Sequence, residues 1–393
     1  MNNNKLNISV AGSGKTTFLV DSALSLDKSN KILITTYTTD NLEEIQKKIL
    51  AKRKSIPSNI TIQGWFSFLL QHGVRPYQGA MNDMLFENYI NGMLLINENS
   101  SFKKDSRGNI INNKAGHPIS YGESDFRDFY FTKSWKIYSD KISKFVVGCN
   151  DKVKGEIISR ISRIYSHIFI DEVQDLAGYD LEIIKLLFKS NIEIRLVGDP
   201  RQVTYLTNHY KKYQKYKYGK IKEFIQNECK NFIDKDTIDE TLLKKSHRNN
   251  QAICDYSSKL YTELEKSEPC DCKICRSNIT EHEGVFLIRP ENVNKYLEKF
   301  KPTQLIWDKR TKVNTLYPVI NFGKSKGKTY ERIIIYPTES IRKWICNNQS
   351  NLEDATKAKF YVALTRAKRS VAIVYDYKED EQFEGVEKYT ESE

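Results

Sequence analysis

Six consecutive residues, Ala11-Gly12-Ser13-Gly14-Lys15-Thr16, have the types and spacing to hold a polyphosphate. The glycines let backbone N–H groups turn toward one anion, and a following helix adds the favourable end of its dipole. Lys15 would reach the β- and γ-phosphates, and the Thr16 hydroxyl would hold Mg2+. An apolar run at 6–10 precedes the loop and an apolar-periodic segment at 17–26 follows it. Strand, glycine loop and helix are the context such a loop needs. An ordinary glycine-rich turn is the alternative, and Lys-Thr with these flanks weighs against it. Ser9 stands where the strict pattern has its first glycine.

A second apolar run, 167–170, ends in Asp171-Glu172. Asp171 would bind Mg2+, and Glu172 would polarise a water as general base. A third run ends in Gly198-Asp199-Pro200-Arg201-Gln202. Gln202 could sense a γ-phosphate and orient water, although Gly-Asp-Pro in isolation reads as a turn.

These groups need strands to carry them. Continuous Ile/Val/Leu runs at 6–10, 31–37, 59–63, 167–170, 192–197, 284–288, 304–307, 332–336 and 371–374 predict strands covered on both faces. They alternate with helical patterns, which predicts an α/β fold with parallel sheets. Residues 69–158 carry few such runs and many Asn, Lys and aromatic residues. They read as a mostly helical insertion with a polar loop at 97–118. Residues 264–283 are a short Cys-bearing insertion. Residues 378–393 are acidic and aperiodic, and read as a frayed, solvated tail.

The 393 residues allow two or three domains. With 39% hydrophobic and 28% charged residues, wholesale disorder is excluded. No run approaches the ~18 uncharged apolar residues of a membrane span, so the expectation is a cytoplasmic protein with no membrane partner. The net charge of +12 fits a polyanionic partner without requiring one. Seven cysteines, an odd number at low density, point to a reducing compartment.

Three of those cysteines, Cys270, Cys272 and Cys275, lie within six residues, with His282 seven residues further on. Three thiolates and an imidazole would satisfy tetrahedral zinc. The spacing is not that of a standard zinc finger, and reduced, solvent-facing thiols are the alternative. Cys149, Cys229, Cys254 and Cys346 are scattered and read as structural.

Taken in order, the motifs resemble those of superfamily 1 helicases of the UvrD/Rep/PcrA type, including the Gabija defence helicases. The phosphate loop is followed by Thr36-Tyr37-Thr38-Thr39, similar to motif Ia, and by Asp171-Glu172-Val173-Gln174-Asp175, similar to motif II. Residues 197–205 resemble motif III, 243–248 motif IV, 323–330 motif V and 360–368 motif VI. The resemblance runs from residue 6 to about 375. It implies two RecA-like P-loop domains with ATP hydrolysed between them. The first would comprise 1–68 and 159–242, interrupted by the insertion 69–158. The second would comprise 243–377, interrupted at 264–283 and followed by the tail 378–393.

The same resemblance implies roles. Glu172, Gln202, Arg248 and Arg366 would be catalytic, the two arginines reaching the γ-phosphate. Ala11, Gly12, Ser13, Gly14, Lys15, Thr16, Thr17, His247 and Gly327 would contact ATP. His247 stands where the family carries an adenine-stacking tyrosine. Thr36, Tyr37, Trp65 and Tyr205 stand where DNA contacts are expected. Thr207 replaces a family tryptophan, with His209 and Tyr210 as compensating rings. Lys211, Lys212, Lys215 and Lys217 interleave with tyrosines; the run either grips a strand or is a solvated face with its tyrosines packed inward.

Thr329 replaces a motif V glutamate and leaves polarity open, with a lean to 3′→5′. The large insertion that UvrD-type enzymes carry between motifs IV and V has no counterpart. The implied function is an ATP-dependent DNA helicase or single-strand translocase on single-stranded or tailed DNA, in antiphage defence or DNA repair and beside a nuclease or other defence protein. The alternative is a nucleic-acid-gated ATPase that signals to a partner without processive unwinding.

Overall fold

A computed structural model of the chain describes residues 3–96, 99–208, 210–276 and 282–390. The backbone runs β1 (Lys5–Ser9), α1 (Lys15–Ser25), β2 (Ile32–Thr36), α2 (Thr39–Arg53), β3 (Ile60–Gly64) and α3 (Trp65–Leu69). After the insertion come α4 (Ile142–Lys152), α5 (Glu156–Ile164), β4 (His167–Ile170), α6 (Tyr179–Lys189), β5 (Glu193–Gly198), α7 (Ile221–Glu228) and β6 (Ile238–Leu243). The remainder is α8 (Gln251–Ser258), β7 (Gly284–Ile288), α9 (Val293–Phe300), β8 (Thr303–Ile306), β9 (Val319–Asn321) and β10 (Tyr330–Ile335). It closes with α10 (Glu339–Cys346), α11 (Asp354–Leu364), β11 (Ala367–Val374) and β12 (Glu387–Lys388).

Two six-stranded parallel sheets result, ordered β3-β2-β4-β5-β1-β6 and β9-β8-β10-β11-β7-β12. This is the α/β architecture with parallel sheets that the apolar runs predict. Every residue of β2 and of β4 is buried, as strands covered on both faces must be. By compactness the chain divides into two units. One comprises residues 1–5, 19–196 and 205–237, the other 6–18, 197–204 and 238–393.

In the first unit α2 begins at Thr38, whose side chain accepts from Asn41 N–H, and ends at Lys54 in a left-handed conformation. Among its described residues the insertion is helical only within 69–87 and from 126 onward. Between them, antiparallel bridges join Phe102 to Ser120, Lys104 to Ile110 and Asn112 to Pro118. Turn chemistry explains the departure from a mostly helical segment. Asp105 Oδ1 accepts from the N–H groups of Arg107 and Asn109, and Asn113 Oδ1 from those of Ala115 and His117. The helical ends pack on aromatic side chains, with Tyr130 and Phe145 edge to face at 5.3 Å.

In the second unit, alternation along the strands feeds two cores. Val285 and Leu287 face one side with Ile333, Ile335 and Trp344; Phe286 and Ile288 face the other with Ile334 and Tyr296. The acidic tail corrects its sequence reading. Glu387 and Lys388 pair with β7 as the edge strand β12, and Tyr389 is buried in the second core against Tyr296 and His282. One aromatic ring outweighs the surrounding charge there, because burying it is worth about 2 kcal/mol. Among the described residues no helix is long and apolar enough to cross a membrane.

Candidate nucleotide site and nucleic-acid contacts

The phosphate loop leaves β1 in the second unit. Gly12 and Gly14 have φ of +75° and +82°, a region that side chains with a Cβ enter at a cost. Ser13 N–H donates to Val10 O (3.2 Å), which closes the turn before α1 begins at Lys15. Ser13 Oγ is buried with no hydrogen-bond partner among the described residues. An orphaned hydroxyl inside a glycine loop at a helix N-terminus fits a bound phosphate. Lys15 and Thr16 stand in the first turn of α1.

Residues 246–249 lie against this loop within the same unit. His247 N–H donates to Gly12 O (2.9 Å). A Cβ on Gly12 would stand 2.7 Å from Arg248 Cβ and 2.7 Å from Ser246 Oγ, closer than real contacts allow. Arg248 Nη1 donates to Thr365 O (3.1 Å), and Asn249 Nδ2 to the carbonyls of Thr365 (3.2 Å) and Ala367 (2.8 Å). The neighbouring Arg366 is 1% exposed. Its Nη2 donates to Gln202 Oε1 (3.1 Å) and its Nε to Val362 O (2.9 Å). Gln202 Nε2 in turn donates to Asp199 Oδ2 (2.7 Å). The same carboxylate binds Arg201, whose guanidinium also donates to Ser9 O (3.3 Å). The structure thus brings together four sequence-predicted residues, Gly12, Arg248, Gln202 and Arg366. Gly327, at φ +82°, forms the turn before β10, and Lys328 O accepts from Arg366.

The sequence assigns Asp199 and Arg201 no role of their own, since Gly-Asp-Pro in isolation reads as a turn. Both are buried, and their ion pair ties the strand end to β1. The signal was available: an arginine and an aspartate two residues apart at the end of an apolar strand can pair locally.

The acidic strand end belongs to the first unit. Asp171 and Glu172 are buried, and Asp171 Oδ1 accepts from Glu172 N–H (2.9 Å). Glu172 has φ +56°, which costs of order 1 kcal/mol in a residue with a Cβ. Gln174 Nε2 donates to Glu172 Oε2. A strained, buried carboxylate at a strand end fits a group whose aim matters more than its comfort.

The aromatic candidates divide. Tyr205 is 51% exposed and keeps a face for a base. Tyr37 is half-buried, edge to face with Phe66 at 5.3 Å; burial, with the charges of Asp180 and Asp175, pushes its hydroxyl up to about 12. Thr36 is buried and accepts from Asn41. Trp65, expected as a DNA contact, is corrected to a core residue: it is 1% exposed and its Nε1 donates to Asp180 (2.7 Å). Asp180 also accepts from Ser143 and from Asn208 (3.1 Å), and so links α3, α4, α6 and the segment after Tyr205. Sequence reasoning missed this fully buried aspartate. Its position on the apolar stripe with Ile183, Ile184 and Leu187 was the available signal.

In the lysine-tyrosine run Tyr213 and Tyr216 turn inward, whereas Tyr218 is exposed. Tyr213 and Tyr216 pack on Phe224 and donate to Glu182 (2.7 Å) and Glu228 (3.0 Å). Lys212 pairs with Glu182 and Lys215 with Glu228, so their charge is partly spent locally. Lys211 is exposed and Lys217 half-buried. Tyr210 is edge to face with Tyr179 at 5.1 Å. His209 lies outside the described residues.

The cysteine cluster receives a different histidine from the expected one. His282 is stacked between Phe286 (4.1 Å) and Phe300 (4.2 Å), and its Nε2 is 2.9 Å from Tyr296 Oη. Burial, with the positive charges of Arg332 and Lys299, pushes its pKa down to about 4. The imidazole beside Cys270, Cys272 and Cys275 is that of His247. Flanking strands decide this: Lys245–Ser246 and Glu268–Pro269 form a two-stranded parallel pair, which delivers His247 and Cys270 side by side. No such route exists for His282, held by the aromatic stack.

Residues 138–209 match the UvrD/REP helicase N-terminal domain. That segment holds Asp171, Glu172, Gln202 and Tyr205. A curated relative, RecBCD enzyme subunit RecB of Borreliella burgdorferi, is 28% identical over 109 residues, which are 28% of this chain and 8% of the relative. Among solved structures, the PRRSV helicase aligns at TM-score 0.41 and 12% identity, over 94% of this chain and 52% of that one. An Arterivirus nonstructural protein 10 (helicase), solved as a complex with DNA, aligns at TM-score 0.44 and 14% identity, over 96% and 61%. The chain therefore spans only part of the proteins it matches.

Proposed function

We propose that this chain is an ATP-driven DNA helicase or single-strand translocase. The observation that carries the reading is the group in the second unit, where Arg248 packs on Gly12 of the phosphate loop and Arg366 holds Gln202. ATP with Mg2+ would supply the scissile phosphoanhydride. By the sequence resemblance, Lys15 would bind the β- and γ-phosphates, Thr16 and Asp171 would hold the metal, and backbone N–H groups of the loop would cradle the phosphate oxygens. Glu172 accepts a proton from the attacking water. Gln202 orients that water, and Arg248 and Arg366 offset charge that grows on the γ-phosphate oxygens. Tyr205 offers a stacking face to a base, and lysines of 211–217 act on phosphates by counterion release. Roles in antiphage defence or DNA repair, beside a nuclease, belong to this proposal and rest on the sequence resemblance.

A second reading is a DNA-gated ATPase that signals without unwinding. One observation favours it. Between Arg248 and Gly323, apart from the cysteine segment, the described elements are α8, β7, α9, β8 and β9, which build the second sheet and its cover rather than a further subdomain.

The test is steady-state ATP hydrolysis with no nucleic acid, single-stranded DNA, blunt duplex and single-stranded RNA, at two salt concentrations, with Lys15→Ala as the blank. Strong, salt-sensitive stimulation by single-stranded DNA is expected. Absence of Lys15-dependent hydrolysis under all four conditions would sink both readings. Stimulation without strand separation on tailed duplexes would select the second.

A further inference from the structure

We propose that His247, Cys270, Cys272 and Cys275 form a structural zinc site that clamps the arginine-bearing turn at the phosphate loop. The four ligand atoms all lie within 4.8 Å of one another. Cys272 Sγ and Cys275 Sγ are each 3.7 Å from His247 Nδ1, and Cys270 Sγ is 3.2 Å from Cys272 Sγ. A tetrahedral Zn2+ with Zn–S near 2.3 Å and Zn–N near 2.0 Å needs S···N edges of about 3.5 Å and S···S edges of about 3.8 Å. The observed S···N edges match, and the S···S edge is far longer than the ~2.0 Å of a disulfide. None of the seven cysteines is in a disulfide.

The local backbone is built for the purpose. Cys270 N–H donates to Ser246 O (2.9 Å), which fixes the strand exits that carry Cys270 and His247. Cys275 N–H donates to Cys272 O (3.1 Å), so the Cys-x-x-Cys segment makes one tight turn with both thiols on one side. Cys270 is buried, whereas His247 and Cys275 are exposed, so an ion has a way in. Zinc rather than a hard cation follows from three soft thiolates and an imidazole in a tetrahedral set.

Neither of the second unit's two apolar cores described above includes a residue of this segment, 264–276. Among its described residues, Ile274 is 91% exposed. A metal would therefore do the work that a hydrophobic core does elsewhere. The site lies one residue from Arg248, and His247 N–H is bonded to Gly12 O, so holding the imidazole also holds that turn on the loop. This coupling to hydrolysis rests on the ATPase reading. The metal site does not, so its test uses metal content.

Elemental analysis of the purified full chain after chelator wash is expected to give about one Zn2+ per chain. His247→Ala and Cys272→Ser should each lose metal, with affinity down more than ~10-fold. His247→Cys, which offers a four-thiolate set, should restore it. Reconstitution of wild type with Co2+ should give the visible bands of tetrahedral thiolate ligation, a readout that needs no variant. Wild type that stays folded and metal-free after zinc addition, with no tetrahedral Co2+ spectrum, would overturn the proposal. So would full zinc retention in folded His247→Ala. Zinc loss in Cys272→Ser with unchanged ATP turnover would keep the site and remove only the clamp.

Discussion

The residues proposed to act on phosphate and those proposed to meet bases are held in opposite ways. Around the phosphate loop, each arginine is anchored through backbone carbonyls: Arg248 on Thr365, Arg366 on Val362, Arg201 on Ser9. In the first unit, Tyr205 is exposed, Tyr37 half-buried, and Tyr213 and Tyr216 pack on Phe224. Phosphate chemistry needs charge fixed in advance, because preorganised donors cost no reorganisation as charge develops. Base stacking tolerates any base and needs only a free ring face. The first demand produces a buried network; the second can be met by one exposed ring.

That contrast can be broken by mutation. The largest effect belongs to Arg366→Ala, which should lower ATP turnover about 10³-fold or more, read by steady-state hydrolysis on protein whose melting is checked. A smaller loss would mean that the arginine merely supports Val362 and Lys328. Next comes Trp65→Ala. It should cost about 3–5 kcal/mol of stability in denaturant melts, because it empties core volume and strips Asp180 of a donor. Tyr205→Ala should weaken single-strand binding by about 1–3 kcal/mol at nearly unchanged stability, measured by fluorescence anisotropy. If the two substitutions traded effects, the assignment of inward and outward rings would be reversed.

His282 sharpens the comparison from the second unit, as a ring stacked on both faces and therefore closed to ligands. Its pKa falls from the ordinary 6.5 to about 4 on folding, so the fold prefers the neutral imidazole. The associated stability is complete above about pH 6.5 and is lost as pH falls toward about 4. Melting temperature should drop over that window, and His282→Phe should flatten the drop. The smallest effect is expected at Lys211→Gln, which should reduce the salt slope of DNA binding by no more than about one unit, with Lys215→Gln smaller still because Glu228 already pairs it.

Much of the fold was legible because its strands are continuous apolar runs; all nine runs occur as strands in the two sheets. The strands that escaped are β6, β9 and β12, all at sheet edges. Edge position explains them: Ile238-Asp239-Glu240-Thr241 need not be apolar, since one side faces away from the sheet. Short-range geometry was also readable, as in the glycine turn between β1 and α1. Long-range choices were not. Nothing in the spacing of Cys275 and His282 reveals that an aromatic pair claims that ring, or that His247 arrives by a two-residue strand pairing. Asp180 escaped for the same reason, its partners Trp65, Ser143 and Asn208 being remote in sequence.

Gly12 carries a consequence of its own. Its missing side chain is the gauge that sets how closely the arginine-bearing turn can approach the loop. Gly12→Ala would act as a wedge there, and its left-handed backbone would resist the change as well. Such a variant would mimic loss of Arg248 while every arginine remained in place, and a genetic screen that scored only charged residues would assign the defect to the wrong part of the molecule.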